Sequence, residues 1–400
     1  MRKPLFVATS VLIALMGFVV HAAAQTPPRA ATDTVRLHVA WKVSSVESRP
    51  GEEMGIISSI AEDAAGNVYV ADLSAAVVRV YGANSQSFPT IGRKGAGPGE
   101  FTAPAGLGIG PDGMLYVRDQ SRYTRFRMNV TTKRLTTYDG NIQRSAMNDW
   151  TSKVPVRFGR ANTLYEPNFS MFTRPPKFSG RYYRYSARGE LQDSVMVPLF
   201  PNSPAPVAVL RTSASGGRMI YGLNHVPFAA LPVWDLTSAG TLISGTGDRY
   251  VLTECDASGT VLHSYNRNVT VDRIPARERA DSVAALRRRI DSLPVPIGRV
   301  EGVPSTVARL ELPQTFPFYS AVYSAVDGKV WVRRWTSGNT ARTIFDVFAR
   351  EGPFIATVTL PAVISSDVHP VLTLDRVVAV VVDAETGENM VYSFAAGARP

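Results

Sequence analysis

The sequence predicts an all-β protein: a six-bladed β-propeller of four-stranded blades, with an N-terminal strand closing the last blade and one helical insertion. Three observations predict it. The stretch Ile60-Ala-Glu-Asp-Ala-Ala-Gly-Asn-Val-Tyr-Val-Ala-Asp72 returns as Leu107-Gly-Ile-Gly-Pro-Asp-Gly-Met-Leu-Tyr-Val-Arg-Asp119. Each copy reads as a short strand, a Gly-containing turn and a Val/Tyr-rich strand ending in Asp, with a third strand at Val77–Tyr81 or Tyr123–Arg127, the pattern of a repeat that stacks sheets. The Val-Tyr-Val strand then recurs down the chain at near-constant spacing. Finally, Val35, Leu37, Val39, Trp41 and Val43 alternate with polar or small residues near the N-terminus, a half-buried strand awaiting a partner.

In chain order, residues 1–24 read as a signal peptide. Arg2 and Lys3 precede a largely apolar run from Leu5 to Val20, and Ala22-Ala-Ala24 offers a small-residue cleavage site. The run is short of the roughly 18–20 apolar residues a span needs, and no Cys follows it for a lipid anchor. No transmembrane span is therefore expected after cleavage, and the protein is expected to be exported, periplasmic or secreted. Residues 25–32 are a Pro/Ala/Thr-rich flexible lead-in, and residues 33–400 a single propeller domain.

Between the two clear repeats lies Gly92-Arg-Lys-Gly-Ala-Gly-Pro-Gly-Glu-Phe101. It is not a phosphate-binding loop, since no Lys-Ser/Thr follows the glycines and no βαβ context surrounds them. Together with the Gly-Asn/Asp-Gly turns and the Val-Tyr-Val-Ala-Asp strand, this loop resembles the NHL-repeat family over residues 57–139. The resemblance implies a propeller in which the loop crosses between blades and buries its Phe. It implies a binding face rather than a reaction, because one fold hosts many functions.

The second strands align as Val68–Asp72, Leu115–Asp119, Leu164–Asn168, Leu242–Thr246, Val330–Arg334 and Ala379–Asp383. Val70, Val117 and Glu166 stand 47 and 49 residues apart, and Val332 and Val381 stand 49 apart, one blade each. Longer gaps of 78 residues to Ser244 and 88 more to Val332 hold insertions. The first contains Phe169–Gly180 and the Pro/Ser/Gly-rich Pro198–Gly217, neither strand-like. A seven-bladed ring that uses Met219–Asn224 as a further strand pair is the alternative. The second gap holds a helix over 275–294, opened by Pro275, stopped by Pro294, and apolar at Val283, Leu286, Ile290 and Leu293; it packs on the rim or caps the channel. The last blade supplies three strands, at Val371–Leu374, Val377–Asp383 and Met390–Phe394, so the N-terminal strand completes it and removes an open edge.

Composition narrows the function. The chain carries a net charge of +10, and 36 of its 43 cationic residues are Arg. An anionic polymer or lipid surface would suit that balance, but no nucleic-acid motif is present and export argues against one. Cys255 is the single cysteine, so no intramolecular disulfide forms and Cys255 reads as a strand residue rather than a nucleophile.

The ends of the aligned second strands would converge on the channel mouth. They nominate Asp72, Asp119, Asn168, Arg334 and Asp383 as ligand-binding, with Arg122, Arg333 and Trp335 beside them. Arg and Trp together suit an anion or an aromatic ring, while Asp at a strand end also serves simply to hold a tight turn. No catalytic residues, cofactor or metal are assigned. The mature chain has His38, His225, His263 and His369 without metal-ligand spacing, and no Gly-x-Ser-x-Gly elbow. The expectation is a monomeric recognition or scaffold module for a protein, peptide or glycan of the cell envelope. The alternative is a lactonase-like hydrolase or lyase, with Ca2+ held in the channel by residues such as Glu53, Asn168 and Asp383.

Overall fold

A computed structural model describes residues 34–44, 54–119, 122–129, 134–143, 154–159, 162–170, 179–186, 188–198, 207–212, 218–224, 226–291, 310–337, 340–383 and 385–397. The segments read as signal peptide and lead-in lie outside them, as do Glu53 and His225. No helix among the described residues is long and apolar enough to cross a membrane.

The chain is nearly all β. After β1 (Thr34–Ser44) comes a first sheet of β2 (Ile57–Glu62), β3 (Val68–Asp72), β4 (Val77–Tyr81) and β5 (Ser87–Ile91). The second sheet is β6 (Gly106–Ile109), β7 (Leu115–Asp119), β8 (Arg122–Asn129) and β9 (Arg134–Gln143). The third is β10 (Arg157–Phe158), β11 (Leu164–Ser170), β12 (Ser179–Tyr185) and β13 (Leu191–Met196). A two-stranded hairpin follows, β14 (Val207–Thr212) with β15 (Arg218–Asn224). The fourth sheet is β16 (Pro232–Leu236), β17 (Leu242–Thr246), β18 (Val251–Cys255) and β19 (Val261–Asn266), and α1 (Ala276–Asp291) comes next. The fifth group is β20 (Tyr319–Ser324), β21 (Val330–Arg334), β22 (Thr343–Phe348) and β23 (Phe354–Leu360), and the last β24 (Val371–Leu372), β25 (Arg376–Val382) and β26 (Asn389–Ala396). Within each group, strands neighbouring in sequence pair antiparallel.

Alternation along the second strands sets how the sheets stack, because successive side chains leave opposite faces. Tyr69 enters an apolar cluster shared with the second sheet, while Val68 and Val70 enter one shared with the last. Trp331 packs towards the last sheet, and Val330 and Val332 towards the fourth. Clusters around Tyr116 and Tyr165 join the second sheet to the third and the third to the fourth. Every sheet thus shares a core with the next in sequence, and the last shares one with the first.

β1 is used twice. From Leu37 onward it pairs antiparallel with β26, as the alternation predicts, but Thr34, Val35 and Arg36 pair in parallel with Thr357, Val358 and Thr359 of β23. Hydrogen bonding therefore runs unbroken through eight strands rather than stopping at four. The expected alternation also slips: Leu37 is buried but Val39 is exposed, because the register shifts between Val39 and Trp41.

The insertions differ from expectation in one respect. Val207–Thr212, within the stretch read as lacking strand, is strand β14; its own Val-Ala-Val-Leu core is β-forming, whatever flanks it. Among the described residues it pairs with β15 alone, so Met219–Asn224 lies in a two-stranded hairpin there. The helix is described over Ala276–Asp291, and the predicted span beyond 291 lies outside the described residues. Backbone bonds from Ile274 to Gln314 and from Phe316 to Asp272 tie its approach to the segment before β20, and Leu286 is its buried residue.

Candidate functional site

The nominated strand-end residues divide into turn-formers and cross-sheet ties. Asp72 has no solvent exposure and accepts from the backbone N–H of Gly55 at 3.1 Å and of Ala75 at 3.0 Å, and from Arg79 Nη2 at 3.0 Å. Asp119 accepts from the N–H of Thr102 at 3.0 Å and of Ala103 at 2.6 Å. Arg122 donates to the carbonyls of Ala96, Gly97 and Glu100, holding the glycine-rich loop down. That loop seats Phe101, fully buried, between the first two sheets. Asp383 is half-buried and accepts from the N–H groups of Glu385 and Thr386 in the β25–β26 turn, bonds that hold its carboxyl below the usual range, the Thr386 N–H foremost. Asn168 is half-buried opposite Arg181 of β12. Each of the three Asp carboxylates thus serves its own sheet.

Arg333 is buried and reaches into the approach to the last sheet, donating to the Ile364 carbonyl at 2.9 Å. Arg118, in the same repeat position of β7, does likewise to the Val154 carbonyl at 2.9 Å. Arg334 points the other way, towards the fourth sheet. Its Nε and Nη2 meet Asp346 of β22 at 2.9 and 2.8 Å, and Asp346, with no exposure, also accepts from Tyr250 Oη at 2.6 Å, Thr357 Oγ1 at 2.9 Å and Arg267 Nη1. Burial, and then Asp346 itself, push the Tyr250 hydroxyl far up, so it stays a neutral donor.

Trp335 lies just past the end of β21 and leaves the face shared by Trp331 and Arg333. It stacks on Phe316, centroids 4.4 Å apart and planes 18° apart, while Phe228 meets both edge-on at 5.9 and 5.6 Å. Phe228 takes a left-handed backbone, φ 60°, which a bulky side chain adopts only where its surroundings hold it there. Phe228 and Phe316 come from the segments leading into β16 and β20, so the half-exposed aromatic group gathers where those two strands begin.

A cavity of about 330 Å³ is lined by β16, β20, Tyr182 of β12 and the segments leading into β10 and β24, with Pro155, Trp234, Tyr323 and Ser320 in its wall. Pro232 pairs with Thr246 and Tyr319 with Arg334, so its wall starts at the end where the second strands finish. Towards the other end stand three residues that the sequence reading did not nominate. Asp235 of β16 accepts from Arg157 Nη2 of β10 at 2.6 Å and from the N–H of Ser324, at the end of β20, at 2.7 Å. His369, just before β24, lies 3.1 Å from the same carboxylate and 2.6 Å from Arg157 Nη2, and its Nδ1 donates to the Pro370 carbonyl at 2.8 Å. With Nδ1 carrying the hydrogen, Nε2 accepts from Arg157. Burial and then the Arg157 charge lower the imidazole pKa, outweighing Asp235, so the ring is neutral at pH 7. Burial opposes ionisation of Asp235, but Arg157 and His369 overcome it and hold the carboxyl at about 2. One carboxylate thereby draws on side chains or backbone from four consecutive sheets. The only local signal was an acid, Asp235, inside an otherwise apolar first strand.

At the cavity's polar end Arg157, Asp235 and His369 bind one another, while Arg157 Nε is buried without a partner among the described residues. The walls mix apolar and aromatic residues with Ser320, Ser366 and Asp367, and the volume suits one sugar ring or one large side chain. Among the described residues no group of three His, Cys, Asp or Glu is placed to hold a metal ion.

No family model matches the chain, and no curated protein does. Solved structures resemble it at low identity. A virginiamycin B lyase from Staphylococcus aureus matches with a TM-score of 0.41 and 10% identity, over 89% of this chain and 98% of that one. An aldose sugar dehydrogenase from Streptomyces coelicolor matches at 0.41 and 13%, over 90% and 97%. Regucalcin, a calcium-binding protein from Agrobacterium tumefaciens, matches at 0.38 and 12%, over 92% and 98%. At such scores no role is taken from them.

Proposed function

We propose that the protein is an exported six-bladed β-propeller, monomeric, that binds a peptide or glycan of the cell envelope at its channel mouth. The cyclic sharing of apolar clusters among six sheets supports the ring, and residues 1–24 support export. The observation that carries the binding role is the cavity of about 330 Å³ to which β16, β20, Tyr182 of β12 and the segments leading into β10 and β24 all contribute walls. Trp335, Phe316 and Phe228 add an aromatic surface where β16 and β20 begin, suited to a sugar face or an aromatic side chain.

The test is a melting-temperature screen of the mature protein against disaccharides, tripeptides and γ-lactones, repeated on Ser320→Trp. Ser320 is an exposed wall residue, so the indole fills the cavity without disturbing the core. One ligand class should raise the wild-type Tm and leave the variant unmoved. If no class does so, or if the variant responds like the wild type, the reading fails. The rival reading, a Ca2+-dependent hydrolase or lyase, requires instead that a chelator lower the Tm and that added Ca2+ restore it.

A further inference from the structure

The Arg267–Asp346–Arg334 group carries an excess of one positive charge. Arg side chains remain protonated in proteins, and here two of them share a single carboxylate that has no contact with solvent. Asp346 is saturated: Tyr250, Thr357 and both guanidiniums donate to its two oxygens. The turn before Tyr250 brings one charge of each sign, Asp248 and Arg249, both exposed, and so leaves the balance unchanged.

The pair is also rigid and open. Arg267 lies over the Phe354 ring with its guanidinium carbon 3.9 Å from the centroid, and its Nη1 is 3.0 Å from Thr357 Oγ1. Arg334 grips Asp346 through two nitrogens at once, which fixes the plane of its fork. The two side chains nevertheless keep 22% and 28% exposure. Arg334 Nη1, and Nε and Nη2 of Arg267, have no partner among the described residues. Two fixed guanidiniums with free N–H groups and one uncompensated charge describe the receiving half of an anion site.

We infer that Arg267 and Arg334 form a second ligand site, distinct from the cavity, which takes one anionic group, a carboxylate or a phosphate, with Asp346 as the buried post that holds both arms. The site does not depend on the cavity or on the aromatic cluster, so either can fail without the other.

The experiment uses the full mature chain. Its Tm is followed against sodium phosphate and, separately, sodium acetate, each at constant ionic strength made up with sodium chloride. A saturable rise is expected with at least one of the two anions, and which one distinguishes a phosphate from a carboxylate ligand. Arg267→Met and Arg334→Met each leave Asp346 one guanidinium, and each should weaken the apparent affinity at least about tenfold. A response no larger than that to chloride, or one unchanged in both variants, overturns the inference. Should the variants fail to fold, arginine modification of the wild type by phenylglyoxal gives the answer. Protection of Arg267 and Arg334 by the anion supports the site, and modification that ignores the anion overturns it.

Discussion

Arg157 and Asp235, 78 residues apart in sequence, meet at 2.6 Å where the first strands of two neighbouring sheets run side by side. Neither side chain is more than 16% exposed. Removing one partner from a buried pair strands the other charge, at a cost of about 3–5 kcal/mol. Asp235→Asn should therefore lower the unfolding free energy by about 3 kcal/mol, read from urea melts. A change below about 0.5 kcal/mol would mean that the pair contributes nothing net.

The same cluster sets a pH dependence. The folded His369 holds its proton less readily than the free imidazole value of 6.5. As pH falls below that value the unfolded chain binds the proton first, so stability declines through the window from 6.5 down to the lowered pKa. The side chains facing the ring are Arg157, Asp235 and Tyr323. A second decline begins below 3.8, where Asp235, held at about 2, contributes about 2 kcal/mol that protonation removes. Urea melts across pH 2–8 should show both steps, and His369→Gln should remove the upper one and shrink the lower, since His369 helps to hold Asp235 down.

Asp119 tests the roles of turn and ligand against each other. Its carboxylate satisfies two backbone N–H groups in the approach to β6. Asp119→Ala should cost about 2 kcal/mol in stability while leaving a ligand-induced Tm shift at the cavity intact. Loss of that shift in a folded variant would return Asp119 to the binding surface.

Gly92 offers a sharper structural test. Its φ is 73°, and a Cβ there would stand 2.3 Å from the Phe101 ring. Gly92→Ala should cost about 2 kcal/mol through overpacking and backbone strain together. Thermal melts showing no loss would mean that the glycine-rich loop does not hold Phe101 in solution.

What could be read from the sequence was what depends on near neighbours. Val68–Asp72 and Leu115–Asp119 are strands because alternation and Gly turns are local properties, and the repeat makes each support the other. The helix was legible from its period and from Pro275 at its start, and β1 from its unpartnered alternation. Strand ends were harder, since an Asp that closes a turn and an Asp that meets a ligand leave the same trace, Asp after Val-Tyr-Val. The Arg157–Asp235–His369 cluster left only one acid in an otherwise apolar strand. It takes single residues from separate sheets, up to 212 positions apart, and no spacing along the chain anticipates which first strands will stand together. The excess guanidinium at Asp346 was half-visible: Arg334 was nominated, but its partner Arg267 lies at the end of another sheet.

The double use of β1 has a consequence for how the molecule is made. Thr34–Arg36 need β23 and Leu37–Ser44 need β26, so the first strand to leave the ribosome is the last to find its place. Until β23 and β26 have been made, β1 waits with both of its edges bare, and the nascent chain stays sticky for nearly the whole length of its synthesis. Once β1 docks, it works as a clasp: tension applied to the N-terminus pulls on two neighbouring strands at once, one running with it and one against. A pulling experiment should therefore break two unlike seams, while a cut in a loop between other sheets would leave the fastening shut.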